Sequence, residues 1–362
     1  MDKLQQARKT ISEVDAEIAR LFCRRMEAAE TVAEYKKERG LAILDSRREE
    51  ELIAKNSALV DNPEWREYYV SFLKYTMKLS RDYQQRLIGG MRVAYGGVPG
   101  AFASEAAEVL YSNGEYISCP DFVAAYRAVE AGECDVAVLP IENSYAGEVG
   151  QVMDLMFSGS LYINRTCDLA VTQNLLVLPG TKLEDICEVV SHPQALAQCE
   201  GYLDRHGIGV RTPYSNTALA AKFVAELGKP HVAAIGSVQA AQLYGLEVLQ
   251  RSINQSAGNT TRFACFSRVE NRPAGRPDDN FILVFTVKHQ AGALAQAINI
   301  IGAYGYNMKN LHSRPMKDLA WNYYFYVECE GDIRSENGKQ MMRALAPMCD
   351  KLKLVGSYST KS

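Results

Sequence analysis

Two cations on the first predicted helix, Arg25 and Lys36, have the types and spacing to bind a small dianion. Arg25 interrupts a heptad repeat that we expect to be buried, whose other members are Leu4, Ile11, Ile18 and Val32, flanked by Ala7, Val14, Leu21 and Ala28. A buried guanidinium must be paired or hold an anion, because an unpaired buried charge is very costly. Lys36 lies about three turns further on the same face, so both side chains could clasp one ligand. An interhelical salt bridge is the alternative for Arg25.

Further polar residues of the first ninety fall on helix faces that could complete this pocket. They occupy i, i+3, i+4 positions of a second helix and i, i+4 positions of a third, at Asp45, Arg48, Glu49, Ser80 and Gln84. A solvated helix face with an N-cap is the alternative for the first three. Arg8 lies about 25 Å along the helix from Arg25 and on another face, so we expect it to reach a pocket on a partner chain. Dimerisation would also thicken the thin core of so short a bundle.

Polar motifs in the middle of the chain follow predicted strands, at the edge where α/β sheets usually bind ligands. A glycine loop, 97–102, separates a strand from a helix and offers N–H groups to an anion. The strings PIENS (140–144), SHPQA (191–195), SNT (215–217) and TRF (261–263) add hydroxyl, amide, imidazole and charged groups. The candidates are Gly97, Gly100, Glu142, Asn143, Ser144, Ser191, His192, Thr217, Asn259, Thr261 and Arg262. Helix caps and turns are the alternative explanation for Ser191, His192 and Thr217.

Composition indicates a soluble protein of two or three domains, with 362 residues, 47% of them hydrophobic and 23% charged. The net charge of −3 gives no electrostatic argument for a nucleic-acid or membrane partner. Nine scattered cysteines without a Cys-x-x-Cys pair favour reduced thiols over disulfides or a zinc site. The N-terminus resembles an amphipathic helix rather than a signal peptide, and no apolar run is long enough to span a bilayer. We expect a cytoplasmic protein without a metal or cofactor.

Three segments must position these residues. Residues 1–88 predict an all-α domain, with helices over 3–38, from Asp45 to about Val60, and from Pro63 to near Ile88. Residues 91–268 alternate β-branched runs with helical stretches, which predicts an α/β domain with largely parallel sheets. After a polar linker, residues 280–362 follow the order βαββαβ, which predicts an α+β ferredoxin-like domain.

The first segment resembles the all-helical chorismate mutase family through Arg8, Arg25, Lys36, Asp45, Arg48, Glu49, Ser80 and Gln84. The resemblance implies a unimolecular rearrangement that needs no nucleophile or general base, only a rigid hold on a dicarboxylate and stabilisation of its ether oxygen. It also implies a role for each residue. Arg25 and the partner subunit's Arg8 bind the carboxylates, and Lys36 and Gln84 donate to the ether oxygen. The remaining residues orient the hydroxyl side or line the pocket, in a homodimer or larger homo-oligomer.

Residues 91–268 look like the prephenate/arogenate dehydratase family through PIENS, SHPQA and TRF. This implies a two-lobed, periplasmic-binding-protein-like fold with its site in the cleft. The substrate loses a hydroxyl group and carbon dioxide, which requires an acid, anion donors and a closed cleft. Thr261 would bond the departing hydroxyl group, Glu142 would be the acid, and Arg262 and the glycine-loop amides would bind the anion. Ala103 stands where the family usually has serine, and Ser104 could substitute.

Residues 280–362 resemble the ACT domain, which binds amino acids at subunit interfaces. The matching strings supply the expected effector site of Gly292, Ala293, Leu294, Leu311, Ser313 and Arg314. His312 stands where the family usually has glutamate, and it would make the response pH-dependent. We expect L-phenylalanine to bind here and inhibit the dehydratase, and deletion of 275–362 to leave an active, deregulated enzyme. A domain that serves only dimerisation is the alternative.

Together these resemblances imply a bifunctional enzyme of phenylalanine biosynthesis that acts on chorismate and then prephenate. One alternative is arogenate as the dehydratase substrate, since VAYGGVPGAF (93–102) resembles plant arogenate enzymes. The other is a two-lobed amino-acid sensor without turnover, because fold does not fix function. A pure binder would have no need for the set of Glu142, His192 and Thr261.

Overall fold

The computed structural model describes residues 2–255, 258–270, 278–316 and 322–359. The chain divides into two compact units, residues 1–91 and 92–362. Within the described ranges, no helix combines the length and the apolar composition that crossing a bilayer requires.

The first unit consists of three helices, α1 (Lys3–Arg39), α2 (Ser46–Ser57) and α3 (Pro63–Gly89). Their ends follow from local chemistry. Gly40 adopts a left-handed conformation, φ 62°, that ends α1. The side chains of Asp45 and Asn62 accept N–H groups in the first turns of α2 and α3. The predicted three-helix segment is therefore confirmed, with ends within about three residues.

The apolar repeat of α1 is exposed in the single chain, contrary to the prediction that it is buried. Every residue from Asp2 to Arg24 is exposed, and only Ala29 and Ala33 of this helix are buried. The physical reason is length. With 37 residues, α1 extends about 55 Å, whereas the 27 residues of α3 extend about 40 Å and α2 is shorter still. Within the first unit, α2 and α3 do not supply a second layer to cover the described part of the repeat.

The second unit is α/β. Its elements in chain order are β1 (Arg92–Gly96), α4 (Phe102–Leu110), β2 (Glu115–Cys119), α5 (Phe122–Glu130), β3 (Val136–Asn143), β4 (Gly147–Glu148), α6 (Gly150–Ser158), β5 (Tyr162–Ala170), β6 (Asn174–Val177), β7 (Glu188–Ser191), α7 (Pro193–Gln198), α8 (Glu200–Arg205), β8 (Val210–Pro213), α9 (Thr217–Leu227), β9 (Val232–Gly236), α10 (Val238–Tyr244), β10 (Glu247–Gln250), β11 (Thr260–Ser267), β12 (Asn280–Val287), α11 (Ala293–Ala303), β13 (Asn307–Pro315), β14 (Tyr323–Glu330), α12 (Glu336–Leu345) and β15 (Cys349–Tyr358).

These strands form two sheets, which gives the two-lobed arrangement expected from the sequence. The larger sheet has the order β13-β14-β12-β15-β5-β11-β3-β1-β2, with β4 on β3, and the smaller has the order β10-β6-β9-β7-β8. The chain crosses to the smaller sheet after β5 and returns as β11. Because β11 runs antiparallel to both β3 and β5, the sheets are mixed rather than largely parallel as predicted. Each lobe has its own apolar core.

The C-terminal module, β12 to β15 (Asn280–Tyr358), has the predicted βαββαβ order and the ferredoxin-like strand sequence β13-β14-β12-β15. One face of its sheet packs under α11 and α12. The other face contributes Ile282, Val284 and Val355 to the core of the first lobe. Gly356 of β15 lies so close to β5 that a Cβ would be 2.0 Å from the Ile163 carbonyl oxygen. Deletion of residues 275–362 would therefore expose this shared core, contrary to our expectation of a separable domain.

Candidate functional sites

In the first unit, Arg25 connects α1 to α3. Its Nη1 donates to the Thr76 carbonyl, at 3.1 Å, and to the Ser80 hydroxyl. Partial burial lowers the pKa of the Arg25 guanidinium, and the negative charge of Glu49 opposes that shift. A half-buried cation whose other guanidinium nitrogens remain to bind an anion fits the predicted pocket.

The remaining predicted pocket residues join the helices or stay in solvent. Lys36 donates to the Ile43 carbonyl at 2.6 Å, and Glu49 forms an ion pair with Arg81 of α3, a residue that sequence reasoning missed. The carboxylate of Asp45 caps α2 by accepting the Arg48 N–H at 3.0 Å. The side chain of Arg48 is exposed, as is that of Arg8 on the uncovered part of α1. The chain alone does not bring Arg8 to the Arg25 cluster.

Gln84 is the strongest sign of a ligand in this unit. It is 7% exposed, and its Oε1 has no hydrogen-bond partner. An unsatisfied buried amide costs about 1–3 kcal/mol, so a ligand that bonds it recovers that energy. Gln84 lies one turn after Ser80, whose hydroxyl meets Arg25. Rotation of the amide would present either its oxygen or its NH₂ group to the ligand.

In the second unit, a cavity of about 470 Å³ receives residues from both sheets. Six of the predicted residues line it, namely Gly97, Asn143, His192, Thr217, Asn259 and Thr261. Asn143 forms hydrogen bonds with two of the others. Its Nδ2 donates to Thr261 Oγ1 and to Asn259 Oδ1, both at 2.9 Å. Because the Thr261 oxygen accepts this bond, its own O–H is directed elsewhere and can donate to a ligand.

Helix N-termini, rather than cations, supply the positive potential of this cavity. Among its described lining residues there is no Lys or Arg, and the ionisable ones are Asp121, Glu148 and His192. The first turns of α4, α5, α6 and α9 reach the lining. Asp121 and Asn216 cap α5 and α9, whereas no side chain caps α4 or α6. Free N–H groups at these two ends can bind an anion.

The glycine loop before α4 adopts a conformation that favours glycine. Gly97 and Gly100 have φ of 109° and 84°. Only Gly97 lines the cavity, because Gly100 packs on α10, where a Cβ would be 3.2 Å from Ala240 Cα. Ala103 lines the cavity as well. Ser104 is buried against Tyr95 instead, so it does not substitute for the missing hydroxyl group as expected.

Glu142 and Arg262 do not line the cavity, contrary to our expectation. They pair across β3 and β11 beside the pair Asn143–Thr261, and successive residues of a strand point to opposite faces. Glu142 accepts a hydrogen bond from Asn310 at 3.2 Å. Arg262 bonds Asp168 at 2.8 Å and the buried Glu328 at 3.4 Å. Its bond to Asp168 raises the pKa of the Arg262 guanidinium, and with both partners acidic it is not free to bind an anion.

Two predicted serines also lie outside the lining. Ser191 is fully buried and donates to the Ile235 carbonyl at 2.7 Å, which joins β7 to β9. Ser144 donates to the Gly258 carbonyl at 2.8 Å and holds the start of β11. His192 lines the cavity as the N-cap of α7, where its Nδ1 accepts the Gln194 N–H at 3.3 Å. Thr217 is the first residue of α9, and Asn216 is its cap.

Sequence reasoning missed several polar lining residues, of which Gln173 is the most informative. It is 2% exposed, and its Oε1 has no hydrogen-bond partner. Gln151, Gln198 and Glu148 also line the cavity. None belongs to the quoted family strings, and the only available signal for Gln173 was a polar residue directly before the apolar strand β6.

Of the six expected effector residues, Gly292, Ala293 and Leu294 lie at the start of α11, and only Leu294 is among the described lining residues of the cavity there. Gly292, with φ of 81°, precedes this helix, and no side chain caps it. A cavity of about 420 Å³ at this end is lined by Val287, Lys288, His289, Gln290, Ala291, Leu294, Asn322, Tyr323 and Phe325. Leu311 and Ser313 are exposed and pair with Val327 and Phe325, whose side chains face the helices. They therefore share the face of this cavity.

Arg314 is on the opposite face of β13, contrary to its assignment to the effector site. Its Nε donates to Asp154 of α6 at 3.2 Å. The guanidinium also covers Gly150, where a Cβ would be 2.5 Å from Nη1. His312 shares this face, with its Nδ1 3.8 Å from the Glu148 carboxylate.

Comparisons with known proteins cover both units. Residues 7–85 match the family model for chorismate mutase type II, and residues 93–271 match that for prephenate dehydratase. The bifunctional chorismate mutase/prephenate dehydratase of Neisseria gonorrhoeae is 30% identical over 98% of this chain and 96% of that protein. Arogenate dehydratase 2 of Petunia hybrida is 35% identical over 75% of this chain and 72% of its own. The structure of prephenate dehydratase from Arthrobacter aurescens in complex with L-Phe has a TM-score of 0.69 and 28% identity, and covers 74% of this chain and 89% of that one.

Proposed function

The chain belongs to the family of bifunctional chorismate mutases/prephenate dehydratases, and from this premise we propose how its own residues divide the two reactions. The enzyme rearranges chorismate to prephenate, and it dehydrates and decarboxylates prephenate to phenylpyruvate in phenylalanine biosynthesis. We assign the first reaction to residues 1–88, the second to 91–268, and control by L-phenylalanine to 280–362. Because the relatives that match almost the whole chain are bifunctional enzymes, we reject the alternative of a sensor without turnover.

The mutase pocket is the cluster of Arg25, Lys36, Ser80 and Gln84. Arg25 binds a substrate carboxylate with the guanidinium nitrogens that α3 leaves free, and Lys36 exchanges its bond to the Ile43 carbonyl for one to the ligand. Rotation of the Gln84 amide places its NH₂ group where the unpartnered Oε1 lies, and this group donates to the ether oxygen. The reaction is unimolecular, so holding the reactive conformation and stabilising the developing charge supply the rate enhancement.

The mutase pocket is completed in a homodimer. The exposed first part of α1 carries an apolar stripe of Leu4, Ile11, Val14, Ile18 and Leu21. Such a stripe with a heptad spacing packs against a second helix. A second copy of the chain would cover this stripe, and it would supply the partner subunit's Arg8 to the Arg25 pocket.

The dehydratase site is the cavity between the sheets. The ring hydroxyl of prephenate takes a proton and leaves as water, while the ring carboxylate leaves as carbon dioxide and its bonding electrons complete the aromatic ring. Thr261 donates to the departing hydroxyl group, with its oxygen held by Asn143. Free N–H groups of α4 and α6 bind the carboxylates. Glu148, the carboxylate of the lining that does not cap a helix, replaces Glu142 as the proton donor.

The hydrogen bond from Asn143 to Thr261 carries this assignment, because it directs the Thr261 hydroxyl group, which was predicted from sequence and lines the cavity. We expect Thr261→Ala to remove phenylpyruvate formation from prephenate, whereas Thr261→Ser retains a hydroxyl group and much of the rate. Formation of prephenate from chorismate should be unchanged in both. Full dehydratase activity of Thr261→Ala would contradict the proposal.

Arogenate is a second candidate substrate, favoured by the charge of the cavity. Arogenate carries an ammonium group where prephenate carries a keto group. The unpaired oxygen of Gln173 could accept a hydrogen bond from this ammonium group, and no Lys or Arg among the described lining residues would repel it. The ratio of kcat/KM values for the two substrates separates these candidates.

The C-terminal module is an ACT domain that binds L-phenylalanine at the α11 cavity. The free N–H groups at the start of α11 bind the carboxylate of the amino acid, and Leu294, Tyr323 and Phe325 contact its ring. The uncapped helix end supports this site, and the complex of the Arthrobacter enzyme with L-Phe supports the choice of ligand. Because coupling is reciprocal, substrate should weaken phenylalanine binding as phenylalanine weakens catalysis. We place the enzyme in the cytoplasm.

A further inference from the structure

One face of β13 meets three acidic residues of the first lobe. Asn310, His312 and Arg314 alternate along this strand and therefore share a face. They contact Glu142 at 3.2 Å, Glu148 at 3.8 Å and Asp154 at 3.2 Å, respectively. Glu148 lines the cavity, and Asp154 belongs to α6, whose first turn also lines it. The C-terminal module thus contacts the cavity wall from behind.

The module holds α6 along its whole length. Near the start of the helix, the guanidinium of Arg314 occupies the space that a side chain at Gly150 would need. In the middle, Asp154 accepts bonds from Arg314 and from the Tyr324 hydroxyl, the latter at 2.7 Å. At the end, Lys353 donates to the Met156 carbonyl at 2.8 Å. These contacts fix the position and the rotation of α6.

The first turn of α6 transmits this hold to the substrate. Gln151 lines the cavity on one side, and on the other it lines a smaller cavity of about 310 Å³ together with Asp154 and Tyr324. About one helical turn, from Gln151 to Asp154, therefore separates the Arg314–Asp154 contact from the substrate cavity. No side chain caps this end of α6, so its N–H groups bind the substrate only if the helix is held in place.

We propose that Arg314 is a positioning residue of the dehydratase, which acts through Asp154 to hold α6, and with it Gln151 and the free N–H groups, against the substrate. This inference rests on the proposed dehydratase site. It assigns Arg314 to catalysis in the first lobe, on the opposite face of β13 from the effector cavity. The planar fork of arginine suits the double task of bonding Asp154 and covering Gly150, which lysine would perform poorly.

The test measures Arg314→Gln and Asp154→Asn in the full-length enzyme, without phenylalanine. We expect each to lower dehydratase kcat/KM at least about 10-fold, because displacing a substrate-positioning group by about 1 Å can lower the rate by up to about 10²-fold. The kcat/KM of the double variant should be no lower than that of the poorer single variant, because both substitutions remove the same interaction. Arg314→Lys should recover only part of the loss. Calorimetric phenylalanine binding reports that the second unit is folded, and mutase activity of the same chain reports that the first unit is.

The control is Arg343→Gln, which changes an exposed arginine on α12 of the same module, on the side of the sheet opposite α6. It should leave dehydratase kcat/KM within about twofold, because substitutions at exposed positions usually have small effects. Equal losses in both variants would overturn the proposal, as would full dehydratase activity of Arg314→Gln. Loss of calorimetric phenylalanine binding with normal catalysis would return Arg314 to the effector site and also overturn it.

Tyr324→Phe decides the matter if Arg314→Gln fails to fold. It removes only the hydroxyl bond to Asp154 and keeps the ring stacked on Phe157, at 4.4 Å. We expect a severalfold lower kcat/KM with unchanged phenylalanine affinity, and an unchanged kcat/KM would overturn the proposal. A wild-type enzyme that forms no phenylpyruvate from prephenate would instead refute the proposed function itself.

Discussion

The helical unit and the α/β unit differ in the groups that we propose to bind their dicarboxylate substrates. In the first, we assign binding to charged side chains such as Arg25 and Lys36, with the partner subunit's Arg8 completing the site. In the second, the described lining of the cavity contains no Lys or Arg, and free helix N-termini provide partial charges instead. Long side chains can be contributed by another subunit. Main-chain dipoles must be held rigidly, so the second site depends on the packing behind it.

The largest effect should come from the side-chain site. We expect Arg25→Ala to lower mutase kcat/KM by about 10³-fold, because a charged donor to the transition state is lost. Conversion of added prephenate to phenylpyruvate should not change. Arg24→Ala is a matched control, since Arg24 is the neighbouring exposed arginine. A comparable loss in the control would contradict a specific role for Arg25.

The same variant tests whether the first site is shared between subunits. Mixing Arg8→Ala with Arg25→Ala chains should restore about a quarter of the wild-type sites if subunits exchange at random. Each heterodimer then has one pocket with both arginines. If such mixtures recover nothing, Arg8 does not act across subunits.

The second effect tests the packing on which the dipole site depends. Ile282 of the C-terminal module is fully buried in the core of the first lobe. We expect Ile282→Ala to lower the free energy of unfolding by about 2–5 kcal/mol, with loss of dehydratase activity at lower temperature. Val269→Ala, at an exposed position, is the control and should change little. Dehydratase activity that survives deletion of the module would show that the two cores are independent.

Local chemistry made much of the fold predictable from sequence. Gly40, Asp45 and Asn62 mark helix ends through a left-handed conformation and side-chain caps, which depend on a few neighbouring residues. Periodicity correctly identified α1 as amphipathic, but it does not say what covers the apolar stripe. For that reason the stripe was predicted to be buried, although the single chain leaves it exposed.

The motifs of the site were predictable from sequence, but the strand face on which each side chain lies was not. Thr261 and Asn143 line the cavity, while their neighbours Arg262 and Glu142 point to the other side. Which face of a strand is inside depends on the elements packed there, and no local pattern contains that information. Arg314 was misplaced for the same reason, one residue from Ser313 on the effector side. Gln173 carries no motif signal at all.

The smallest effect concerns Lys353, the cation that the C-terminal module uses to hold the end of α6. Burial lowers the pKa of Lys353 from 10.5 to about 8. The folded protein therefore releases this proton at lower pH than the unfolded chain. Between pH 8 and 10.5 the unfolded chain binds more protons at this residue, so the contribution of Lys353 to stability rises with pH and falls as pH drops through 8.

Comparison with Lys353→Met isolates this contribution from all other titrating groups. The melting temperature of the wild type relative to the variant should rise between pH 7.5 and 9.5. Because the side chain is partly solvated, screening limits the change to about 2–4 °C, roughly 1 kcal/mol. Lys351→Met is the matched control, since Lys351 bonds the Phe157 carbonyl from a more exposed position. A difference that falls with pH would mean that the charged amine is favoured at the end of α6.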